Sequence, residues 1–405
     1  MIPVTAWVVA YRARPLTFDA KESTLARAMT TSLKLLSAAE KLDWLRLIRS
    51  ENVGPITFYR LLEHFGSAGA ALKNLPDIAR RGGWGRPITV CSKAAAVREM
   101  EALERLGAWV IARGEPDYPP PLAAIEDGPP LLLVRGHAHI LQRPAIAIVG
   151  ARNASLNGCK LARQIAADLS TAEVLVISGL ARGIDACAHE GALSTGEGGT
   201  VAVNAGGVDV VYPAENGVLY ERIMATGAVV SEMPPGENPQ ARHFPRRNRI
   251  VSGLAVGVVV VEATARSGSL ITARLALEQG REVFAVPGSP LDPRAAGPNR
   301  LIRDGATLVE RADDVLQEME RMRRTPFAVP AADRFVAPPP APPEEAELAA
   351  ARAMVLESLG PAPVAVDEII RRCQLSPSMV SLILLELELA GRIERQAGHQ
   401  VALLG

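Results

Sequence analysis

Aromatic side chains are scarce in this chain, 4% of 405 residues. A protein built mainly on base-stacking platforms is thereby excluded. An excess of one charge is missing too: 44 Lys and Arg face 44 Asp and Glu. Whole-chain charge therefore argues for no partner, and any nucleic-acid signal must be local. The four cysteines, Cys91, Cys159, Cys187 and Cys373, lie far apart with no C-x-x-C pair. A zinc site or a disulfide framework has no spacing to rest on, and reduced thiols in a cytoplasm fit better. Long apolar runs are absent near the start. "AWVVAY" is too short to span a bilayer, and Arg12 and Arg14 follow it where a signal peptide would place its charges first. Signatures of turnover are missing as well. There is no G-x-G-x-x-G, no GKS or GKT phosphate loop, no G-x-S-x-G elbow and no H-E-x-x-H. That set of absences favours binding over catalysis, with no metal and no cofactor called for.

What is present is length, apolar content and alternation. At 48% hydrophobic, the chain is globular and long enough for two or three domains. Residues 1–36 read as a disordered leader or as an extension from an early start codon. Residues 37–106 read as helices, with "AAEKLDWLRLIRS" and "TFYRLLEHF" at helical spacing around "ENVGP". Residues 107–324 form the body. There "AIAIVG", "VLVIS", "TVAVNA", "AVVS", "VGVVVVEA", "EVFAV" and "TLV" recur with helical patterns between them. Continuous β-branched runs mean strands covered on both faces, so the body is predicted to be a doubly wound, mostly parallel α/β sheet of Rossmann-like form. "WVIAR" and "LLLVR" are expected to add strands at an edge. Residues 325–346 hold seven prolines and read as a semi-rigid linker before a tail at 347–405.

In such a sheet, ligands bind where strands end and helices begin, because free N–H groups and the positive dipole end suit phosphates. After "AIAIVG" come Gly150, Ala151 and Arg152, either an anion-binding turn or an ordinary βα turn with a surface arginine. After "VLVIS" come Ser178, Gly179, Arg182 and Gly183. Asp185 and His189 follow at i, i+4. They lack further metal ligands and read as an acid at a helix start bonded to a histidine one turn on. After "VVVVEA" the turn Ser267, Gly268, Ser269 offers an N-cap and a small anion-binding turn. Between these lies "ARHFPRRNRI", a knot of Arg242, Arg246, Arg247 and Arg249 around Phe244 and Asn248 with no acid among them. One anion-friendly turn is routine. Several on one sheet edge beside four arginines point to a groove for a ligand with several phosphates.

At these residues the chain resembles the DNA-processing protein A family, called DprA or Smf. The resemblance runs through "YPPPLAAIEDGPPLLLVRG", "AIVGAR", "ISGLARGIDACAHEGAL", "TVAVNAGGVDVVYPAEN", "SEMPPG", "FPRRNRIVSGL", "VVEATARSGSLITARLALEQGR", "VFAVPG" and "GPNRLIRDGA", over about 190 residues in order. It departs at "NAGGVD", where a leucine-glycine lead-in is expected. It implies an extended Rossmann-like core that binds single-stranded DNA, forms homodimers and loads RecA recombinase onto incoming strands in natural transformation. Carried over by motif, it implies phosphate contacts at Gly150 to Arg152, at Ser178 to Gly183 and at Arg246 to Arg249. Phe244 is either a base-stacking ring or a buried staple for the arginine turn. Single strands suit such a groove, since they need a basic track tolerant of sequence.

The flanking regions fit the family's layout. "ENVGPITFYRLLEHFGS" resembles a helix-hairpin-helix within a sterile-alpha-motif-like bundle, or is a plain structural turn. The tail resembles a winged helix, with Ser376 and Pro377 opening its third helix. That helix carries Glu386 and Glu388 and no base, and residues 344–405 hold five Arg against nine Asp or Glu. A DNA reader needs basic or amide side chains there, so the tail is expected to bind protein, its own core or a partner. The rival reading of the whole chain is a phosphoribohydrolase-like enzyme or nucleotide sensor. Glu262 is then the sole candidate acid, since Glu278 falls late in its helix.

Overall fold

The computed structural model describes residues 35–83, 86–196, 199–324, 345–396 and 399–404. Most of the expected leader and of the expected linker lies outside the described residues.

Four helices come first: α1 (Ala38–Ile48), α2 (Pro55–Phe65), α3 (Ala68–Arg81) and α4 (Lys93–Arg105). Ser37 and Glu40 close a capping box on α1, and Pro55 supplies the preset first-turn φ of α2 after Gly54. The central sheet then follows. Its strands are β1 (Trp109–Ala112), β2 (Leu131–Gly136), β3 (Ala145–Val149), β4 (Leu175–Ser178), β5 (Thr200–Val203), β6 (Ala228–Ser231), β7 (Gly257–Val260), β8 (Glu282–Ala285) and β9 (Thr307–Leu308). The spatial order is β1-β2-β6-β5-β4-β3-β7-β8-β9. Every pairing from β6 to β9 is parallel, and β2 alone runs against its neighbours. "WVIAR" and "LLLVR" thus form the expected edge.

The helices of the body are α5 (Pro120–Ala123), α6 (Leu156–Thr171), α7 (Ile184–Ser194), α8 (Gly217–Thr226), α9 (His243–Leu254), α10 (Gly268–Glu278), α11 (Ala296–Arg303) and α12 (Ala312–Arg324). They cover both faces. Along β3, Ile146 and Ile148 pack with α6 and α7, while Ala145, Ala147 and Val149 pack towards α9 and α10. Both sets are buried, which is why the strand shows no polar alternation. Each such Val or Ile contributes about 1.5–3 kcal/mol by leaving water.

The tail consists of α13 (Glu345–Ser358), β10 (Val364–Ala365), α14 (Val366–Cys373), α15 (Pro377–Leu389) and a hairpin of β11 (Ile393–Gln396) and β12 (Gln400–Leu403). Ser376 caps α15 by accepting from the Met379 N–H. Helix α15 is buried on two faces. Val380, Ile383, Leu384 and Leu387 fill the winged domain's own core. Leu385 and Leu389 enter the core of the N-terminal helices beside Leu47, Phe58 and Leu61. Asn52 Nδ2 donates to the Leu389 carbonyl at 3.0 Å. The backbone of Glu386 lies so close to Gly82 that a Cβ there would overlap it. The tail therefore docks on the helical domain, and the packing partner of α15 is not the Rossmann-like body.

Candidate nucleic-acid interface

The strand order reverses between β3 and β7, and in a doubly wound sheet this is where a phosphate ordinarily sits. Here the chain fills that position with its own carboxylate. Glu262, just past β7, accepts from the Ser155 N–H at 2.9 Å and from the Ser155 hydroxyl. Ser155 is the N-cap of α6, and its Oγ accepts in turn from the Gly158 N–H at 2.9 Å. The Glu262 carboxylate lies against Gly158, where a Cβ would collide with it. An acid at the positive end of a helix is stabilising, and it takes the Ser155 amide that an incoming phosphate could otherwise meet there.

The same holds one strand over. The buried Asp185 carboxylate accepts from Gly179 N–H at 3.1 Å and Ala181 N–H at 3.4 Å. Burial raises its pKa, and the positive field of Arg247 opposes that rise. The expected bond from Asp185 to His189 does not form. His189 instead pairs through Nδ1 with Thr200 Oγ1 at 2.8 Å. Thr200 spends its own proton on the Val176 carbonyl, so Nδ1 must be the protonated nitrogen and Nε2 the lone pair. Burial beside Arg247 holds His189 neutral, with its pKa pushed down to about 3.

Beyond the ends of β4 and β5 opens a cleft of about 240 Å³. Its lining includes Arg152, Gly179, Arg182, Asn204, Tyr212, Phe244 and Arg247. Arg247 is its main feature. The side chain is buried, burial pulls its pKa down, and among the described residues Nε has no hydrogen-bond partner and no carboxylate lies at ion-pair distance. The Asp185 carboxylate offsets part of that cost from a distance, but a buried guanidinium without a direct partner is costly, and this one lines an open cleft. Gly179 makes its position possible, because a Cβ there would overlap the guanidinium. At the mouth, the Arg152 guanidinium lies over the Phe244 ring, 5.1 Å from its centroid. Tyr212 leans on the same ring at 5.7 Å. Arg182 is exposed and faces Glu215 at 3.7 Å.

Of the residues predicted from sequence, the cleft therefore gathers Arg152, Gly179, Arg182, Phe244 and Arg247. The others lie elsewhere, for physical reasons. Ser178 is buried and donates to the Ile148 carbonyl. Gly150 and Gly183 serve close packing: a Cβ at Gly150 would meet Ile184, and one at Gly183 the Ala151 carbonyl. Ala151 itself is buried, and its carbonyl accepts from the Ile184 N–H. Asn248 Nδ2 donates to the Gly268 carbonyl, tying α9 to the start of α10. Ser267 caps α10, and its hydroxyl meets that of Ser269. Asn248, Ser267, Gly268 and Ser269 do not line the cleft.

Three of the four arginines of the knot leave the cleft because the knot is helical. Arg249 is buried on the far side of α9, paired with Glu232 and donating to the Asp127 carbonyl at 2.6 Å. It holds structure, with Nη1 committed to Asp127 and Nη2 to Glu232. Arg242 and Arg246 face a second groove of about 840 Å³ between the body, the helical domain and the winged domain. Arg246 lies 3.9 Å from Glu232 there, and Asp127, Glu237, Glu388 and Glu394 share the lining, so the groove is mixed in charge. The "NVGP" turn lines this groove as well. Sequence reasoning missed Tyr212 and Asn204. An aromatic in a loop beyond a strand's carboxyl end, "VVYPAEN", was the available signal for the first.

Comparison with known proteins agrees across the chain. The model of DNA recombination-mediator protein A matches residues 109–320. The DprA-like N-terminal HHH domain matches 38–102, and the DprA winged helix domain matches 339–399. The DNA processing protein DprA of Streptococcus pneumoniae is 47% identical over 203 residues, 50% of this chain and 71% of that protein. Protein Smf of Escherichia coli is 41% identical over 288 residues, 71% of this chain and 75% of that protein. The X-ray structure of the pneumococcal protein superposes with a TM-score of 0.58 at 36% identity, covering 70% of this chain and 99% of that one. With a family model spanning more than half of its residues and the helical and winged domains matched on either side, the chain belongs to the DNA recombination-mediator protein A family, known as DprA or Smf.

Proposed function

We propose that this protein is a sequence-tolerant single-stranded DNA-binding mediator of recombination. It holds one phosphate of the strand on Arg247, with Arg152 and Arg182 at the mouth of the same cleft. In this reading it works in the cytoplasm as a homodimer joined through its Rossmann-like core. It protects incoming strands and loads RecA recombinase onto them. The observation that carries the reading is Arg247, a buried guanidinium with no hydrogen-bond or ion-pair partner among the described residues, beside an open cleft. A cation in that situation is completed by an anion from outside, and bidentate phosphate contact is what a guanidinium does best. The relatives' names, DNA processing protein and recombination mediator, agree with a polyphosphate strand as that anion.

The rival, a nucleotide hydrolase or sensor, needs a free acid at the pocket. Glu262 is committed to the cap of α6 and does not line the cleft. Fluorescence anisotropy of a labelled poly-dT strand across a salt series separates the two. The expected outcome is tight binding to the strand, poor competition by duplex, and a salt slope smaller by about 0.7 in Arg247→Ala. Equal competition by a mononucleotide would replace the strand reading with the nucleotide one.

A further inference from the structure

The four cysteines stand apart in sequence, yet the fold brings two of them face to face. Cys159 is the fourth residue of α6 and Cys187 the fourth residue of α7. These helices connect the parallel strands β3, β4 and β5, so they run side by side in one direction. Their contact is close. A Cβ built on Gly191 would lie 2.7 Å from the Arg163 Cα, so the backbones touch there. Cys187 and Cys159 stand one turn earlier on both helices, at the same offset in the chain. Arg163 also meets Glu190 across this seam, at 2.7 Å. Only helices packed this closely bring facing Cα atoms into the range of about 4.4–6.8 Å that a disulfide requires, since the ordinary interaxial spacing is about 8–10 Å. Both cysteines pack on one apolar cluster with Ile184 and Ala188. Burial, above all, and a hydrogen bond with the Cys159 thiol push the Cys187 thiol up to about 12. Cys187 is 5% exposed, whereas Cys159 is only half-buried.

We infer that Cys159 and Cys187 are a redox-active dithiol, a modification site that a hydroperoxide converts into a disulfide bridging α6 and α7. Cys159, the more exposed, meets the oxidant first. Its sulfur takes an oxygen from the peroxide, the O–O bond breaks, and water leaves behind a sulfenic acid. The Cys187 sulfur then attacks the Cys159 sulfur. The S–S bond forms, the S–O bond breaks, and the departing hydroxide takes the Cys187 proton as water. In sum, the two thiols give up two electrons and two protons, and hydrogen peroxide becomes two waters. A small dithiol restores the pair by exchange. The site lies behind the turns that carry Arg152 and Arg182, but its chemistry does not depend on what fills the cleft.

The test treats the folded full-length protein with hydrogen peroxide and reads a non-reducing peptide map by mass spectrometry beside a melting curve. The map separates the pair from Cys91 and Cys373, which belong to the flanking domains. The expected product links the Cys159 and Cys187 peptides, is lighter by two hydrogen atoms, and reverts with dithiothreitol. Because the link restricts the unfolded chain, the melting temperature should rise by about 5 °C and return on reduction. In Cys187→Ala the Cys159 sulfenic acid has no thiol to resolve it and should be trapped by dimedone. In Cys159→Ala the buried Cys187 should stay reduced. Oxidation of wild-type Cys159 beyond the sulfenic acid with no link would show neighbours that cannot bridge, and would overturn the inference. So would a pair that stays reduced while Cys91 and Cys373 are oxidised. A linked product that melts below the reduced protein would place the bridge outside the native packing, and the inference would fail there too.

Discussion

Gly179 lies directly beneath the guanidinium of Arg247, and any side chain at Gly179 would occupy the space of Nη1 and Cζ. The glycine at the end of β4 thus exists for a side chain 68 positions later, on another element. Gly179→Ala should force Arg247 out of its seat while leaving every charge in the protein intact. Single-strand affinity is expected to fall as far as in Arg247→Ala, with little change in melting temperature. Anisotropy on poly-dT checks this; wild-type affinity in Gly179→Ala would show that the seat does not matter.

Arg249 predicts the opposite pattern. It is buried on Glu232, so removing it leaves a largely buried carboxylate with only the 3.9 Å contact to Arg246. Arg249→Ala should lose about 3–5 kcal/mol of stability, read from urea unfolding. Adding Glu232→Leu should restore much of that loss, because the orphaned charge is then gone. Any fall in DNA affinity should track unfolding and vanish in the fraction that remains folded.

His189 sets a pH dependence whose sign follows from its depressed pKa. Folded, it titrates near 3; unfolded, near the ordinary 6.5. The neutral ring's contribution is complete above about pH 6.5. It is lost as pH falls from there towards 3, by at most ~1.4 kcal/mol per pH unit for one proton. Asp185, whose pKa is raised by burial, works in the opposite direction at the acid end of that window. Denaturant midpoints from pH 7 to 5 should therefore fall in wild type and fall less steeply in His189→Asn. Parallel slopes in the two proteins would assign the dependence to other groups.

Deleting residues 344–405 should leave poly-dT affinity within about twofold, since no described residue of the tail lines the cleft. It should lower the melting temperature of the helical domain, because Leu385 and Leu389 leave its core. Each such leucine lost from a core costs about 2–5 kcal/mol. Calorimetry of the truncated protein reads the second effect independently of the first.

The sheet was legible because its signal is local. Runs such as "VGVVVVEA" are buried on both faces, and that requirement writes itself into consecutive residues. The candidate site was legible only in outline. Arg152, Gly179, Arg182, Phe244 and Arg247 fall where strand-end reasoning puts them. Spacing alone did not show that "HFPRRNRI" is helical, which sends Arg247 to the cleft and Arg249 to the opposite side. Nor could it show that Glu262 and Asp185 take the turn amides, since those carboxylates come from distant or unremarkable positions. In the proposed reading the anion therefore meets arginine side chains in place of backbone amides. For the tail, the missing basic residues of α15 pointed to a protein contact, while the identity of its packing partner, the helical domain, had no local signature.

The bond from Asn52 to Leu389 joins residues 337 positions apart. The helical domain is made before the body and the winged domain, yet two of the side chains that finish its core come from α15, on the far side of the body in sequence. At ordinary synthesis rates the interval between them is roughly 20–70 seconds. For that time the nascent bundle carries an open apolar face with its own covering still untranslated. A chain cut short before α15 would carry that open face for good.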